Sequence, residues 1–299
     1  MSFTRLAGFF LPVSAILVIA SVVGFIWPGP VLSIEFTGGT LLEVQLPEGV
    51  TQERLETSLT NARFGETPLG DATVTATRTG TQFIRTRTLT TEEHTQLIAT
   101  LTTDLGQVQE LQYTTIGPTV GQNLKIRALY ALIAAMAAII LYVAAAFRKI
   151  PAYLSPWSFG LATIIALVHD VAITLGIFTI LSHFTTFQMD TLFVSAVLSI
   201  MGYSVSDTIV IFDRIRDNIF AEGKRTDFTE IAEKSLRQTV TRTLNTGLGA
   251  LIMLFALFFF GSESIRWFIL ALIVGTLVGT YSSFFIATPL LALWRKSRG

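Results

Sequence analysis

The stretch LSIMGYSVSDTIVIFDRIRDN, Leu198 to Asn218, holds one carboxylate, Asp207, inside an apolar run before the sequence breaks into alternating charge. An ionised carboxylate at the middle of a membrane helix costs about 2.5 to 3.5 kcal/mol on insertion scales, so such a group is paired, protonated or functional. A second one, Asp170, lies in TIIALVHDVAITLG with His169 beside it, and a cation, Arg242, lies in SLRQTVTRTLNTGLGALIML. Helical spacing puts Thr163, Asp170 and Thr174 on one face, Ser199, Tyr203 and Asp207 on a second, and Thr239, Arg242, Thr246 and Gly249 along a third. Asp207 lies about five residues before the inner end of its run; at about 1.5 Å per residue it shares its depth with Arg242, so an Asp–Arg pair across two helices is available. The chemistry such residues suit is the gain and loss of a proton. Asp170 has two readings: a second protonation site, or an acceptor of hydrogen bonds from a neighbouring helix. Arg242 either pairs with Asp207 or snorkels to the interface. His169 reads as a packed or hydrogen-bonded imidazole, since no second His or Cys stands at ligand spacing.

Positioning those side chains is the task of a lipid-dissolved scaffold. Of 299 residues 51% are hydrophobic and 14% charged, mean hydropathy is +0.60, and there are 23 phenylalanines; lipid is the main solvent of such a chain. The 21 basic and 21 acidic residues balance, which argues against a nucleic-acid partner. With no cysteine the chain has no disulfide, no thiolate metal site and no thiol nucleophile.

Six runs are long enough to cross a bilayer core, which takes about 20 helical residues. They extend over Leu6 to Trp27, Leu129 to Phe147, Trp157 to Ile180, Thr191 to Phe212, Thr243 to Phe260 and Ile265 to Leu293. The first is longer than a signal-peptide core and lacks a small-x-small cleavage site, so it reads as a retained anchor. Arg5, Arg148, Lys149, Arg214, Arg216, Lys224, Arg225, Lys234, Arg237, Arg295, Lys296 and Arg298 fall on one side if six helices alternate, against Arg266 alone in the opposite short loops. Both termini are therefore expected in the cytoplasm. Trp27, Trp157, Trp267 and Trp294 all fall near helix ends, where indoles prefer to sit. Gly275 and Gly279 form a G-x-x-x-G suited to close helix packing, and Gly247 and Gly249 are small residues that open the fifth span. The charged run 213–238 reads as a segment at the cytoplasmic interface.

Residues 28–124, rich in Thr, Glu and Gln, form a water-soluble excursion on the outer side. VLSIEFTGGTLLEVQLP alternates like a strand, TQERLETSLTNARF starts a helix with Thr51 and Glu53, and ATVTATRTGTQFIRTRTL reads as two strands joined at Thr79-Gly80. TEEHTQLIATLTTDLG is a helix stopped by Gly106, and VQELQYTTIG is a last strand. The order β-α-β-β-α-β is the ferredoxin-like split βαβ. The expected fold is thus an α-helical polytopic membrane protein: residues 1–27 form the N-terminus and first helix, residues 28–124 an extracytoplasmic α+β ferredoxin-like domain, and residues 125–299 a five-helix bundle. His94 and His183 read as solvated. At the junction, Phe36, Thr37, Gly38 and Gly39 offer a bulge or a close backbone approach that bulkier residues would block.

IEFTGGT after the first span, LVHDVAITLG in the third, SIMGYSVSDTIVIFDRIRDN in the fourth and TRTLNTGL opening the fifth resemble, in this order and spacing, the SecD/SecF family of bacterial protein-export membrane proteins. The likeness is to its smaller half and covers nearly the whole chain. One departure is Ser206, where many relatives carry Asn. The resemblance implies a twelve-helix assembly of two six-helix halves, of the resistance-nodulation-division kind, in the bacterial inner membrane. It implies SecD as partner, SecYEG and SecA as the channel and motor served, and YajC and YidC as further associates. Exported unfolded polypeptides would be the substrate and protons the energy source, with no cofactor, no metal and no enzymatic activity. By the same resemblance Asp207 and Arg242 take part in proton passage. The polar stripe of Ser199, Tyr203, Ser206, Thr239, Thr246 and His169 would support them.

Two rivals share the buried acids. A proton-coupled small-molecule transporter of the same superfamily would need a larger external portion with its own pocket. An intramembrane aspartyl protease needs G-x-G-D at its second aspartate, where this chain reads YSVSD.

Overall fold

The computed structural model describes residues 3–77, 80–148, 156–222 and 226–296. Thr79 of the expected strand turn, and Lys149, Lys224, Arg225 and Arg298 of the basic pattern, lie outside the described residues. The chain divides into two compact units, residues 32–129 and residues 1–31 with 130–299.

Helix α1 spans Phe3–Ile26 and belongs to the second of these. The first unit then runs α2 (Ile34–Thr37), β1 (Gly39–Gln45), α3 (Gln52–Asn61), β2 (Arg63–Phe64), β3 (Thr67–Pro68), β4 (Thr73–Ala76), β5 (Gln82–Thr86), α4 (Thr91–Leu105) and β6 (Gln109–Ile116). Its main sheet has the order β4-β5-β1-β6 with every pairing antiparallel, which is the ferredoxin-like arrangement the pattern predicts. Leu42, Val44 and Ile84 from the sheet meet Leu55 and Leu59 of α3 and Leu97, Leu101 and Leu105 of α4 in one core. The helices start where oxygen side chains can take orphan amides: Thr51 accepts from Arg54 N, and Thr90 and Glu93 close a reciprocal capping box.

The first strand begins later than alternation suggests. Residues 34–37 form a helical turn, because Ser33 accepts from Glu35 N and Gly38, at φ +76°, returns its amide to Ile34 O. A small extra hairpin, β2 to β3, turns at Gly65 with φ +64°. His94 is not freely solvated: its ring stacks on Tyr113 at 4.0 Å and its Nε2 meets Glu110 Oε2 at 2.8 Å.

The remaining helices are α5 (Pro118–Ala146), α6 (Pro156–Phe184), α7 (Thr191–Glu222), α8 (Phe228–Phe260), α9 (Arg266–Ser282) and α10 (Thr288–Lys296), the last two joined by a π-helical turn over Ser283–Ala287. Among the described residues six spans are long and apolar enough to cross a membrane, the sixth made chiefly of α9, the π turn and α10. Half or more of the apolar stretch of α6, α7 and the sixth span is buried inside the chain, against 6% for α1 and α5 and 11% for α8, so those three form the centre of the bundle. Small residues let them approach. A Cβ on Gly275 would lie 2.2 Å from Ile200 side-chain atoms, and one on Gly176 would lie 2.8 Å from Ser21 Cα. Phe147, Phe159 and Phe212 seal one end of the bundle, while Phe178, Phe187, Phe193 and Trp267 cluster toward the other.

Residues of the charged run 213–238 extend two of these helices. Over 213–222 and 228–238 they continue α7 and open α8 as an antiparallel hairpin, burying Ile215 and Ile219 with Ile231, Ala232 and Leu236. Inside it Asn218 Nδ2 donates to Ser235 Oγ at 2.8 Å and to Gln238 Oε1 at 2.9 Å. His183 in the last turn of α6 contacts Gly29 O at 2.7 Å through Nε2, a tie that its outer-loop position does not reveal.

Candidate functional site

On α6, Asp170 is fully buried, and Thr163 and Thr174 are buried with it. His169 Nδ1 stands 2.9 Å from Asp170 Oδ1; facing a carboxylate, that nitrogen carries the proton. Ser282 of α9 donates to Oδ2 at 2.7 Å, and Ser204 of α7 donates to the same oxygen. Three helices thus converge on one carboxylate that accepts three hydrogen bonds. The π turn shapes this corner: Thr288 Oγ1 returns to Ser283 O at 3.0 Å, while Ser283 pairs with Thr208 of α7 at 2.9 Å. Single π turns inside helices recur at functional sites.

Asp207 is different. It is buried on α7, yet its Oδ2 has no hydrogen-bond partner among the described residues. Thr243 Oγ1 has none either, while Tyr203 Oη stands close to both Asp207 and Thr280 Oγ1 without completing a hydrogen bond of good geometry to either. Tyr203 is one turn before Asp207. A Cβ on Gly247 of α8 would stand 3.1 Å from Tyr203 Oη and 3.4 Å from Thr280 Oγ1 of α9, and Thr243 is one turn before Gly247. Bare backbone at Gly247 therefore leaves room for oxygens from three helices beside the second acid.

Arg242 lies on an exposed face of α8 and makes no ion pair with Asp207 among the described residues. Thr246 is exposed and donates to Arg242 O at 3.0 Å; Ser199, which donates to Ser195 O at 2.9 Å, and Ser206 are exposed as well. Thr239 is buried and donates to Ser235 O at 2.9 Å. The inward face of α8 runs Thr239, Thr243, Gly247 in steps of four, rather than through Arg242 and Gly249. Ser204, Thr243, Thr280 and Ser282 are site residues that spacing arguments passed over, and Gly247 was read for packing alone. Their signal was the recurrence of small and hydroxyl residues every fourth position, which a single sequence does not orient.

In the soluble unit, Phe36 is buried and Thr37 exposed, with Thr37 Oγ1 donating to Ser33 O at 3.1 Å. Gly38 and Gly39 have φ of +76° and +134°. A Cβ on Gly38 would lie 2.9 Å from Pro118 Cα, and one on Gly39 2.8 Å from Thr86 O. On α5, a Cβ at Gly121 would lie 2.8 Å from Gly38 N, so glycine backbone meets glycine backbone at the first turn of that helix.

Residues 97–297 match the family described as protein export membrane protein SecD/SecF, C-terminal. The protein translocase subunit SecF of Thermobaculum terrenum is 36% identical over 96% of this chain and 92% of its own length. That of Desulfurispirillum indicum is 36% identical over 98% of this chain and 91% of its own. Both names denote a transport role. Among solved structures, SecDF of Thermus thermophilus, described as a translocon-associated membrane protein, superposes with a TM-score of 0.86 at 31% identity over 99% of this chain. SecDF in a super-membrane-facing form gives 0.71 at 30% identity over 100% of it. The chain spans 39% of the length of each of those solved chains. A six-span helical bundle, a ferredoxin-like insertion after the first span and a match over two thirds of the sequence lead to one assignment: this chain is a multi-pass membrane protein of the SecD/SecF family of protein-export membrane proteins.

Proposed function

We propose that this chain is the SecF-type half of a proton-driven protein-export complex in the bacterial inner membrane. In this reading a SecD subunit supplies the other six-helix half, and the complex serves SecYEG and SecA, with YajC and YidC as associates. Both termini face the cytoplasm and residues 28–124 face outward, where exported unfolded chains emerge.

The observation that carries the reading is buried Asp207, whose Oδ2 completes no hydrogen bond, with Tyr203 Oη beside it and Thr280 Oγ1 next to Tyr203 at Gly247. A carboxylic acid in such low-dielectric surroundings holds its proton, and gives it up when a guanidinium draws near. Arg242, one helix away and on an exposed face, is the cation able to do this. One site then has two states, and a proton crossing the membrane potential supplies about 2.3 kcal/mol per 100 mV to shift between them. Asp170, already accepting three hydrogen bonds, serves better as an anchor than as a carrier.

Asp207→Asn in the complex, reconstituted with its SecD-type partner, is expected to abolish both proton conductance and export stimulation while insertion and partnering persist. Normal secretion with normal proton flux in that variant defeats the reading. Arg242→Lys keeps charge but loses the planar fork, so a clear defect there favours defined pairing over positive charge alone.

A further inference from the structure

Two helices adjoin the α/β domain in the chain, α1 before it and α5 after it, and they are joined to the bundle very differently. On α5 the buried positions are Gly121, near its start, and Val143, near its end; nothing polar on it reaches the carboxylate centre among the described residues. On α1, residues seven apart face inward: Ala7 and Ser14 are each 3% exposed, and Ser21 sits against Gly176 of α6. Ser14 and Tyr281 of α9 share a hydrogen bond of 2.9 Å. A hydroxyl pair across two helices in an apolar medium is not easily exchanged for other partners, since lipid offers none. Phe10 packs its ring edgewise on Tyr281 at 5.6 Å, so α1 grips that residue by two contacts one turn apart.

Tyr281 also faces the other way. Its ring lies 6.0 Å from the ring of His169, at an interplanar angle of 30°, and His169 holds Asp170 Oδ1. Tyr281 is followed by Ser282, which donates to Asp170 Oδ2. Any rotation of α9 that alters the Ser282–Asp170 bond therefore turns Tyr281, and with it Ser14.

We propose that Tyr281 is a positioning residue that ties the first membrane helix to the Asp170 centre, through its hydrogen bond to Ser14 and its ring contact with His169. It touches neither Asp207 nor Arg242 among the described contacts, so its part is to pass on a rearrangement and not to move a proton. α1 is then the element that carries the change outward, and α5 follows. This rests on the proton-driven reading given above.

The test uses the full chain in complex with its SecD-type subunit in inverted membrane vesicles. Proton flux is followed with a pH-sensitive dye and export with a secretory precursor. Tyr281→Phe, which keeps the ring and removes only the hydroxyl, is expected to leave flux within about twofold of wild type and to lower export stimulation at least about fivefold, the small end of ordinary coupling between sites. Ser14→Ala is expected to do the same, and the double variant no more than either single one, because both remove one bond. Unchanged export in the single variants overturns the proposal, as does flux that falls in step with export, or effects of the two that multiply. If Tyr281→Phe does not accumulate, Ser14→Ala decides alone by the same criteria. Asp207→Asn run in parallel separates the failures: intact flux and export there defeat the proton reading and this proposal together. Loss of both there, with wild-type behaviour of the Ser14 and Tyr281 variants, defeats only this proposal.

Discussion

Ser282 joins α9 to α6 by donating to Asp170 at 2.7 Å, on the same carboxylate oxygen that Ser204 of α7 reaches. One buried acid thereby accepts hydrogen bonds from two neighbouring helices and from the adjacent His169, while the other, Asp207, has an oxygen that completes none. Two aspartates of similar sequence context hence differ in kind. The first holds the bundle's centre in one arrangement, and the second is free to change its bonding.

That difference makes opposite demands on an amide. Asp170→Asn places an N–H₂ where Ser204, Ser282 and His169 all donate, so at least one donor loses its acceptor in a dry interior. The expected loss of stability is about 1 to 3 kcal/mol. Asp207→Asn has no such bond to Oδ2 to break and is expected to change stability by less than about 1 kcal/mol. Thermal unfolding of the purified variants in detergent compares the two. Equal losses would remove the distinction between anchor and carrier.

Gly275 backs on Ile200 so closely that a methyl group must displace a side chain that is itself 2% exposed. Overpacking of this kind costs about 1 to 3 kcal/mol. Gly275→Ala is accordingly expected to lower the melting temperature, and Ile200→Ala in the same chain to restore most of the loss by vacating the space. A double variant no more stable than Gly275→Ala alone would show that the α7–α9 contact is not where the strain falls.

Legibility in the sequence followed the range of the physics. Caps are local: Thr51 announced the start of α3 and Gly106 the end of α4, and these residues cap those helices, whereas the Thr90–Glu93 box that opens α4 was not read. Hydropathy is a window average, so six spans were readable, but it ends where charge begins and missed that α7 and α8 run on as a hairpin through Asn218 and Ser235. Alternation over Val31 to Gln45 suggested one strand, although Ser33 and Gly38 bracket a helical turn. Orientation about a helix axis is tertiary. On α8 the step from Arg242 to Thr246 and the step from Thr243 to Gly247 look alike in sequence, and only packing against Tyr203 and Thr280 turns the second pair inward. Ser14 and Tyr281 lie 267 positions apart, and neither carried any mark of the other.

Glu93 gives the soluble unit a pH dependence with a defined sign. The fork of Arg87, at 2.6 and 3.1 Å, and then the Thr90 amide hold its carboxyl below the usual 4.5. A carboxylate lowered on folding contributes stability that is complete above about pH 4.5, the unfolded value, and is lost as pH falls through the lower folded one. Glu93→Gln keeps the capping geometry but cannot titrate. The gap in melting temperature between wild type and Glu93→Gln is therefore expected to be constant from about pH 5 to 7 and to close as pH drops below about 4. A gap that widens on acidification would contradict the pairing.

Gly38 presents two separable demands on an alanine. Its backbone, φ +76° and ψ 164°, lies where side chains other than glycine are strained by about 1 to 3 kcal/mol. Its Cβ would also meet Pro118 Cα at 2.9 Å and Ile116 O at 3.3 Å, both backbone atoms that no rotamer change can move. Gly49, at φ +85°, has nothing within 4 Å of its Cβ position and so faces the first demand alone. Gly49→Ala is expected to cost about 1 kcal/mol and Gly38→Ala more than about 3, the excess measuring how closely residues 36–38 lie on the first turn of α5. Urea unfolding of the soluble unit within the intact chain, followed by protease susceptibility of its core helices, reads both. Equal costs would mean that the chain relaxes around Gly38, and the close glycine contact with Gly121 would then have no role in fixing where the soluble unit meets its helix.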